Sequence, residues 1–70
     1  MVDADAYFGS NAGTVWGALH DNGSMTITQL KRKTKLSDKE LYAGLAWLAC
    51  ERKIGIQGDT PLLFRFALKE

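Results

Sequence analysis

Apolar residues near the start of the chain recur at the spacing of one helix face. They follow an i, i+4, i+7, i+8 pattern: Phe8, Ala12, Val15, Trp16 and Leu19. The pattern ends at residues 21–23, Asp-Asn-Gly, where glycine suits the left-handed position that follows a helix. Asn11 is a candidate N-cap, although Tyr7 and Phe8 also fit an earlier turn, so the start of this helix is left open. Residues 1–5 are expected to form a loose leader.

A second helix is predicted over residues 26–34. Residues 24–26 have the character of a short extended link. Thr26 and Gln29 form a capping box, in which the side chain of each residue accepts a hydrogen bond from the backbone of the other. Two residues of this helix are expected to face inward: Ile27 and Leu30.

A third helix is predicted from Ser37 to about Lys53, after a tight connection at Lys35-Leu36. Ser37 and Glu40 form the stronger of the two capping boxes. Leu36 closes the turn beneath an inner face that three leucines form: Leu41, Leu45 and Leu48.

A β-hairpin is predicted after the third helix. Residues 54–56, Ile-Gly-Ile, alternate as a strand, and residues 58–59, Gly-Asp, are typical of a two-residue hairpin turn. Pro61 has a locked φ angle and is expected to open the return strand. Four residues of that strand share one side: Leu62, Phe64, Phe66 and Leu68.

This order of elements predicts an α+β fold, the winged helix-turn-helix. Its parts are a helix, a short strand, a two-helix helix-turn-helix and a β-hairpin wing. A chain of 70 residues has room for one domain. We therefore expect a single domain over residues 1–70, with an ordered core of about residues 8–68. Apolar residues at 46% and charged residues at 24% suit such a folded domain.

The stretch from Thr26 to Ile54 resembles the helix-turn-helix core of winged-helix domains, in which Leu36-Ser37, Leu45-x-x-Leu48 and Lys53-Ile54 are recurring positions. Three segments are more closely similar to a family of small stand-alone winged helix-turn-helix domains of bacteria and archaea with no assigned biochemical function: residues 11–16, 36–43 and 47–49. The resemblance covers about residues 9–68. It implies the fold, and it leaves DNA, RNA and protein open as binding partners.

The composition gives little support for an enzyme. One Cys and one His permit neither a disulfide nor a Cys/His zinc site, and the sequence has no nucleophile elbow and no phosphate loop. His20 is better explained as a helix-end residue, and Cys50 as a packed or half-exposed thiol. We therefore expect no enzymatic activity, no metal, no cofactor and no small-molecule ligand.

The expected compartment is the cytoplasm. The chain start lacks the basic region and apolar run of a signal peptide. The longest uncharged stretch, residues 6–20, is too short to span a bilayer, so we expect no membrane partner. A lone cysteine suits a reducing environment.

Positive charge is concentrated in one short segment. Residues 29–39 carry five Lys or Arg and one Asp, a net charge of +4, whereas residues 1–28 have a net charge of −3 and residues 40–70 are balanced. In a helix-turn-helix, the first helix crosses the phosphate backbone and the second enters the major groove. Expected phosphate contacts come from Lys31, Arg32, Lys33 and Lys35, and the base-reading positions would be Ser37, Asp38, Lys39, Tyr42, Ala43 and Ala46.

These base-reading positions offer no Arg for guanine and no Asn or Gln for adenine. We therefore expect a transcription-regulator-like domain that binds double-stranded DNA weakly, mainly through the phosphate backbone. The alternative is that the basic segment is a solvated helix face that only keeps the domain soluble.

A different function is indicated by the outer face of the third helix. Opposite the three leucines lie four apolar residues: Ala43, Ala46, Trp47 and Cys50. An apolar face with a tryptophan is typical of a protein interface, and a symmetric homodimer is the commonest form. Alternatively, Trp47 packs against the wing of its own chain. Gly9, Gly13 and Gly17 would line one stripe of the first helix, which indicates close helix packing within the fold or across a dimer, or else a helix that starts late.

Overall fold

The helices and strands follow one another in the order of a winged helix-turn-helix. The computed structural model describes residues 3–60 and 63–69. Its elements are α1 (Ala4–Asn22), β1 (Met25–Thr26), α2 (Ile27–Thr34), α3 (Asp38–Cys50), β2 (Ile54–Gln57) and β3 (Arg65–Leu68). The strands form an antiparallel sheet in the order β1-β3-β2, so the short strand before α2 pairs with the wing. The predicted fold class is confirmed.

The first helix begins earlier than the sequence pattern indicated. Asp3 is its N-cap, and the Asp3 carboxylate accepts a backbone N–H of the first turn at 3.1 Å. The loose leader is therefore wrong for residues 3–5, and residues 1 and 2 lie outside the described residues. The Asn11 cap is also wrong, since Asn11 is buried inside the helix, whereas the earlier turn at Tyr7 and Phe8 is confirmed. The end of α1 is confirmed, because Gly23 adopts a φ of 76° and donates its N–H to the Leu19 carbonyl at 2.9 Å.

Both predicted capping boxes are present. At the start of α2, the Gln29 N–H donates to Thr26 Oγ1 at 3.2 Å and the Thr26 N–H donates to Gln29 Oε1 at 2.9 Å. At the start of α3, the Ser37 N–H donates to Glu40 Oε1 at 3.0 Å and the Glu40 N–H donates to Ser37 Oγ at 3.2 Å. The hydrogen bonds from the Ser37 backbone and side chain lower the pKa of Glu40 below its ordinary value of 4.5.

The third helix ends at Cys50, so the predicted end near Lys53 is wrong. Arg52 adopts a left-handed φ of 59°, which is incompatible with a further helical turn. The Lys53 N–H then donates to the Leu48 carbonyl at 2.9 Å, which closes the helix and leads directly into β2.

The connection in the wing is longer than a two-residue turn. Gln57 pairs with Arg65 at the end of the β2–β3 ladder, so residues 58–64 all lie between the strands and the Gly-Asp hairpin turn is wrong. Pro61 and Leu62 lie outside the described residues. The other predicted inward residues of the return strand behave as expected, with Phe66 buried and both Phe64 and Leu68 half-buried.

The core lies where α1 crosses α3 and the sheet covers them. Ten apolar residues are buried there: Ala12, Val15, Leu19, Met25, Leu30, Leu41, Leu45, Leu48, Ile54 and Phe66. The crossing is close because α3 presents Gly44, which has no side chain. A Cβ atom added at this position would lie only 2.7 Å from the Asn11 carbonyl oxygen. Phe8 and Trp16 were expected on the buried face of α1, but they are 39% and 41% exposed.

The stripe of glycines on α1 has no close neighbour within the described chain. A Cβ atom added at Gly9, Gly13 or Gly17 would meet nothing within 4 Å. Intramolecular close packing at these positions is therefore wrong, and so is a late helix start, since α1 includes all three. Close packing across a dimer stays a prediction.

Candidate functional site

The cations of α2 point in different directions. Lys31 Nζ lies 2.7 Å from Asp38 Oδ1 in the first turn of α3, so its charge is already paired. Arg32 and Lys33 lie on another side of the helix, where they line a polar cavity. Lys35 follows the last turn in a left-handed conformation, with its side chain exposed. The predicted basic segment is thus divided, and its members do not form one continuous face.

The polar cavity, which we call the basic cavity, has a volume of about 400 Å³. Its lining comes from the end of α1, from α2 and from the sheet: Asn22, Ser24, Met25, Gln29, Arg32, Lys33 and Arg65. Arg65 is held in place by Ser24, to which its Nε and Nη2 donate at 3.2 Å and 2.9 Å. Among the described residues, three cations and no carboxylate line this cavity, which makes it suited to an anion such as phosphate.

Arg65 is the residue that the sequence reasoning missed. It is separated from Ser24 by 41 positions, and the sequence between them carries no signal that joins the two. The sheet creates the contact, because Arg65 is the register partner of Thr26 at the start of α2.

The predicted base-reading positions are only partly available. The Ser37 hydroxyl is engaged in the capping box, and Asp38 is paired with Lys31. Lys39 and Tyr42 are exposed on α3, Tyr42 to 55%. Ala43 is half-buried and Ala46 is exposed, but both are apolar, so α3 offers few groups for hydrogen bonds to base edges.

An apolar groove separates α3 from the wing. Its volume is about 550 Å³, and one charged residue occurs in its lining: Tyr42, Leu45, Ala46, Ala49, Ile54, Gly55, Ile56, Phe64, Phe66 and Lys69. We call this surface the wing groove. In a helix-turn-helix that reads DNA, the exposed face of the second helix enters the major groove, where polar and basic residues are needed. The wing groove has the opposite character.

The four predicted interface residues are brought together. Ala43, Ala46, Trp47 and Cys50 line an apolar cavity of about 330 Å³ with Phe8, which the sequence reasoning had assigned to the core. The Phe8 and Trp47 rings are stacked, with centroids 6.3 Å apart and planes 15° apart. Trp47 is half-buried, and α1 contributes to its burial through Phe8. The alternative drawn from the sequence, packing against the wing, did not include a contact with α1.

Residues that could bind a metal are dispersed over the described part of the chain. Within residues 3–60 and 63–69, no three His, Cys, Asp or Glu side chains lie close enough to hold an ion. His20 is exposed, stacked on Trp16 at 4.8 Å and 3.4 Å from the Asp21 carboxylate. Among the described helices, none combines the length and the apolar character that crossing a membrane requires.

Comparisons with known proteins agree with this architecture. The solution NMR structure of protein BT2368 from Bacteroides thetaiotaomicron is similar to this chain, with a TM-score of 0.79 and 33% sequence identity over 91% of this chain and 77% of that one. No curated protein matches the chain. A family model described as "Winged helix-turn-helix domain (DUF2582)" matches residues 1–65. That match covers most of the sequence, and the chain belongs to this winged helix-turn-helix family.

Proposed function

We propose that this domain binds double-stranded DNA through the phosphate backbone, without direct reading of base edges. The convergence of Arg32, Lys33 and Arg65 on the basic cavity is the observation that carries the proposal. Lys35 and Lys39 are also exposed, beside the turn of the helix-turn-helix, and add positive charge outside the cavity. We place this activity in the cytoplasm, in a transcription-regulating setting, as a binding module with no enzymatic role.

Backbone binding follows from the kind of groups that are exposed. Arginine and lysine side chains neutralise phosphates at any sequence, whereas specificity needs bidentate contacts to bases. The exposed positions of α3 supply Lys39 and Tyr42 but no Arg, Asn or Gln. A net charge of +1 limits the long-range attraction to DNA, so the binding is weak. Because the contacts are made to phosphates, the affinity falls as the salt concentration rises.

The test is a fluorescence-anisotropy titration of a random-sequence duplex at low and at physiological salt. If about four phosphates are neutralised, log K against log salt has a slope of about −3 to −4. Arg32→Gln with Lys33→Gln removes two cavity cations, and we expect the slope to become less steep by about 2. Arg65 is left unchanged because it also supports Ser24.

The matched control is Arg52→Gln with Lys53→Gln, which removes the same charge beyond α3. The proposal requires that the control bind DNA much more tightly than the cavity variant. Equal losses of DNA affinity in both variants would mean that only the net charge of the protein determines binding. Absence of binding at low salt, with the fold intact by circular dichroism, would end the proposal.

A second candidate function is a protein-interaction module, specifically a homodimer. The specific observation is the apolar outer face of α3, where Ala46 and Cys50 are exposed and Trp47 is only half-buried. Trp47→Ala is expected to weaken association more than it lowers stability. Light scattering at high micromolar concentration tests this, and a monomer at that concentration before any mutation would contradict it.

A further inference from the structure

The amino-terminal end of α1 has a chemistry that matches the wing groove of the same chain. Residues 3–8 are all exposed, and they combine two carboxylates with two aromatic rings: Asp3, Asp5, Tyr7 and Phe8. Tyr7 and Phe8 are 42% and 39% exposed, with their centroids 5.4 Å apart in an edge-to-face pair. This end of the helix is therefore an acidic aromatic ridge at the surface of the domain.

The wing groove offers the complementary surface. Among the residues that the structure describes, its lining is apolar except for Lys69 and includes no carboxylate. Lys69 lies at the end of the groove where β2 begins, since its N–H donates to the Lys53 carbonyl at 2.8 Å. Lys39, three residues before Tyr42, adds an exposed positive charge toward the opposite end, where α3 begins. Ile56 is 54% exposed within the groove, so a partner that binds there would bury a large apolar side chain.

The two surfaces meet at one residue. Ala46 lines the wing groove on one side, and on the other side it lines the cavity that Phe8 and Trp47 share. A ridge and a groove on opposite flanks of one small residue form a self-complementary patch. When two copies are related by a twofold axis through such a patch, each ridge lies in the groove of the other copy.

We infer that the wing groove binds the amino-terminal end of α1 from a second copy of this chain, in a reciprocal twofold dimer. The inference rests on the homodimer candidate above and adds the occupant of the groove. Asp5 of each copy lies toward Lys69 of the other, and the aromatic pair covers Ile56. The small side chain of Ala46, which both surfaces share, allows the two copies to approach closely at the twofold axis.

The basic cavity remains free in this arrangement. Its cations lie on α2 and on the β1 side of the sheet, and none of its residues lines the wing groove. The dimer and DNA binding can therefore be tested on one set of variants, and the failure of one is distinguishable from the failure of the other.

The first experiment measures association by sedimentation equilibrium on the full chain. Ile56→Glu places a charge in the groove at an exposed position, and we expect the dimer to be lost. Leu63→Glu is the matched control, because Leu63 is 64% exposed on the wing and does not line the groove. Equal association in these two variants, or a wild-type chain that stays monomeric at about 1 mM, overturns the inference; that upper concentration corresponds to about 4 kcal/mol of binding energy.

The second experiment identifies the occupant by charge reversal. Asp5→Lys and Lys69→Glu each place like charges together across the interface, and each is expected to raise the dissociation constant about fivefold. The double variant restores opposite charges and is expected to recover affinity close to that of the wild type. If the double variant is as weak as either single one, the ridge does not occupy the groove. DNA binding measured on Ile56→Glu shows separately whether the basic cavity still acts.

Discussion

The two faces of α3 have similar chemistry and opposite roles in the fold. On the inner face, Leu41, Leu45 and Leu48 are at most 4% exposed. On the outer face, Ala46 and Cys50 are exposed. Apolar character alone therefore does not decide which face a helix buries.

Side-chain size separates the two faces better than polarity does. The inner face has large leucines that fill the core and one glycine that permits the crossing of α1, whereas the outer face has two alanines and a cysteine beside one large residue, the half-buried Trp47. Burial of a leucine contributes about 2 kcal/mol, and an alanine contributes far less. Changes on the inner face are therefore expected to alter stability, and changes on the outer face to alter association.

The largest contrast is expected between two adjacent residues. Leu41 is completely buried, and Leu41→Ala is expected to lower the free energy of unfolding by about 3 kcal/mol, since it leaves a cavity in the core. Tyr42→Ala, one residue along on the exposed side, is expected to cost less than about 1 kcal/mol. Chemical denaturation of both variants tests this, and similar costs would show that the inner face is not the main source of stability.

A smaller loss of stability is expected from a substitution where α1 crosses α3. Gly44→Ala places a Cβ atom 2.7 Å from the Asn11 carbonyl oxygen, and backbone cannot move aside as a flexible side chain does. We expect a cost of about 2 kcal/mol, in the range of overpacked cores. The midpoint of urea denaturation measures it. A variant as stable as the wild type would mean that α1 and α3 can separate at little cost.

Local signals predicted most of the fold. Both capping boxes depend on residues three positions apart, so Thr26 and Ser37 could be assigned from sequence with the helices that they begin. The start of α1 was harder to predict. Its cap, Asp3, precedes a stretch rich in glycine, and the apolar spacing continues past Asn11 without a break that would show where the helix begins. The inner face of α1 was predicted correctly at Ala12, Val15 and Leu19, which are buried, but it was drawn too wide, since Phe8 and Trp16 are 39% and 41% exposed.

The candidate site was predictable only in part. Ala43, Ala46, Trp47 and Cys50 lie on one helix, and helical periodicity alone brings them together. The basic cavity depends on Arg65, whose position is set by strand pairing across a long sequence separation. The wing groove likewise needs α3 and two strands at once, and the two-residue turn expected in the wing gave the wrong connection between those strands.

The start of α3 fixes which residues lie on which face, and its cap can be removed. Ser37→Ala deletes the hydroxyl that accepts the Glu40 N–H, and we expect a cost of about 1 kcal/mol. Ser37→Asp keeps an acceptor at the same position and serves as the control. An unchanged denaturation midpoint for the alanine variant would contradict the helix start at this residue.

A gain in stability is expected where a glycine has no neighbour. Gly13 lies within α1, and an added Cβ atom there would meet nothing within 4 Å. Gly13→Ala is therefore expected to stabilise the monomer by about 0.5–1 kcal/mol, the opposite sign to Gly44→Ala. Thermal unfolding of a dilute sample compares the two. A loss of stability at Gly13 would show that another copy or another part of the chain uses this space.

The smallest effect concerns the pH dependence of the α3 cap. The pKa of Glu40 is lowered from 4.5, first by the hydrogen bond from the Ser37 backbone and then by that from its side chain. A carboxyl group whose pKa is lower in the folded state stabilises that state fully above its unfolded pKa, and the contribution is lost as the pH falls through the folded pKa. Glu40→Gln cannot titrate, so the difference in denaturation midpoint between wild type and variant is expected to be constant near neutral pH. It should shrink as the pH falls below 4.5. A difference that stays the same in acid would mean that the capping box acts through hydrogen-bond geometry alone, and that the charge of Glu40 does not help to hold the two faces of α3 in place.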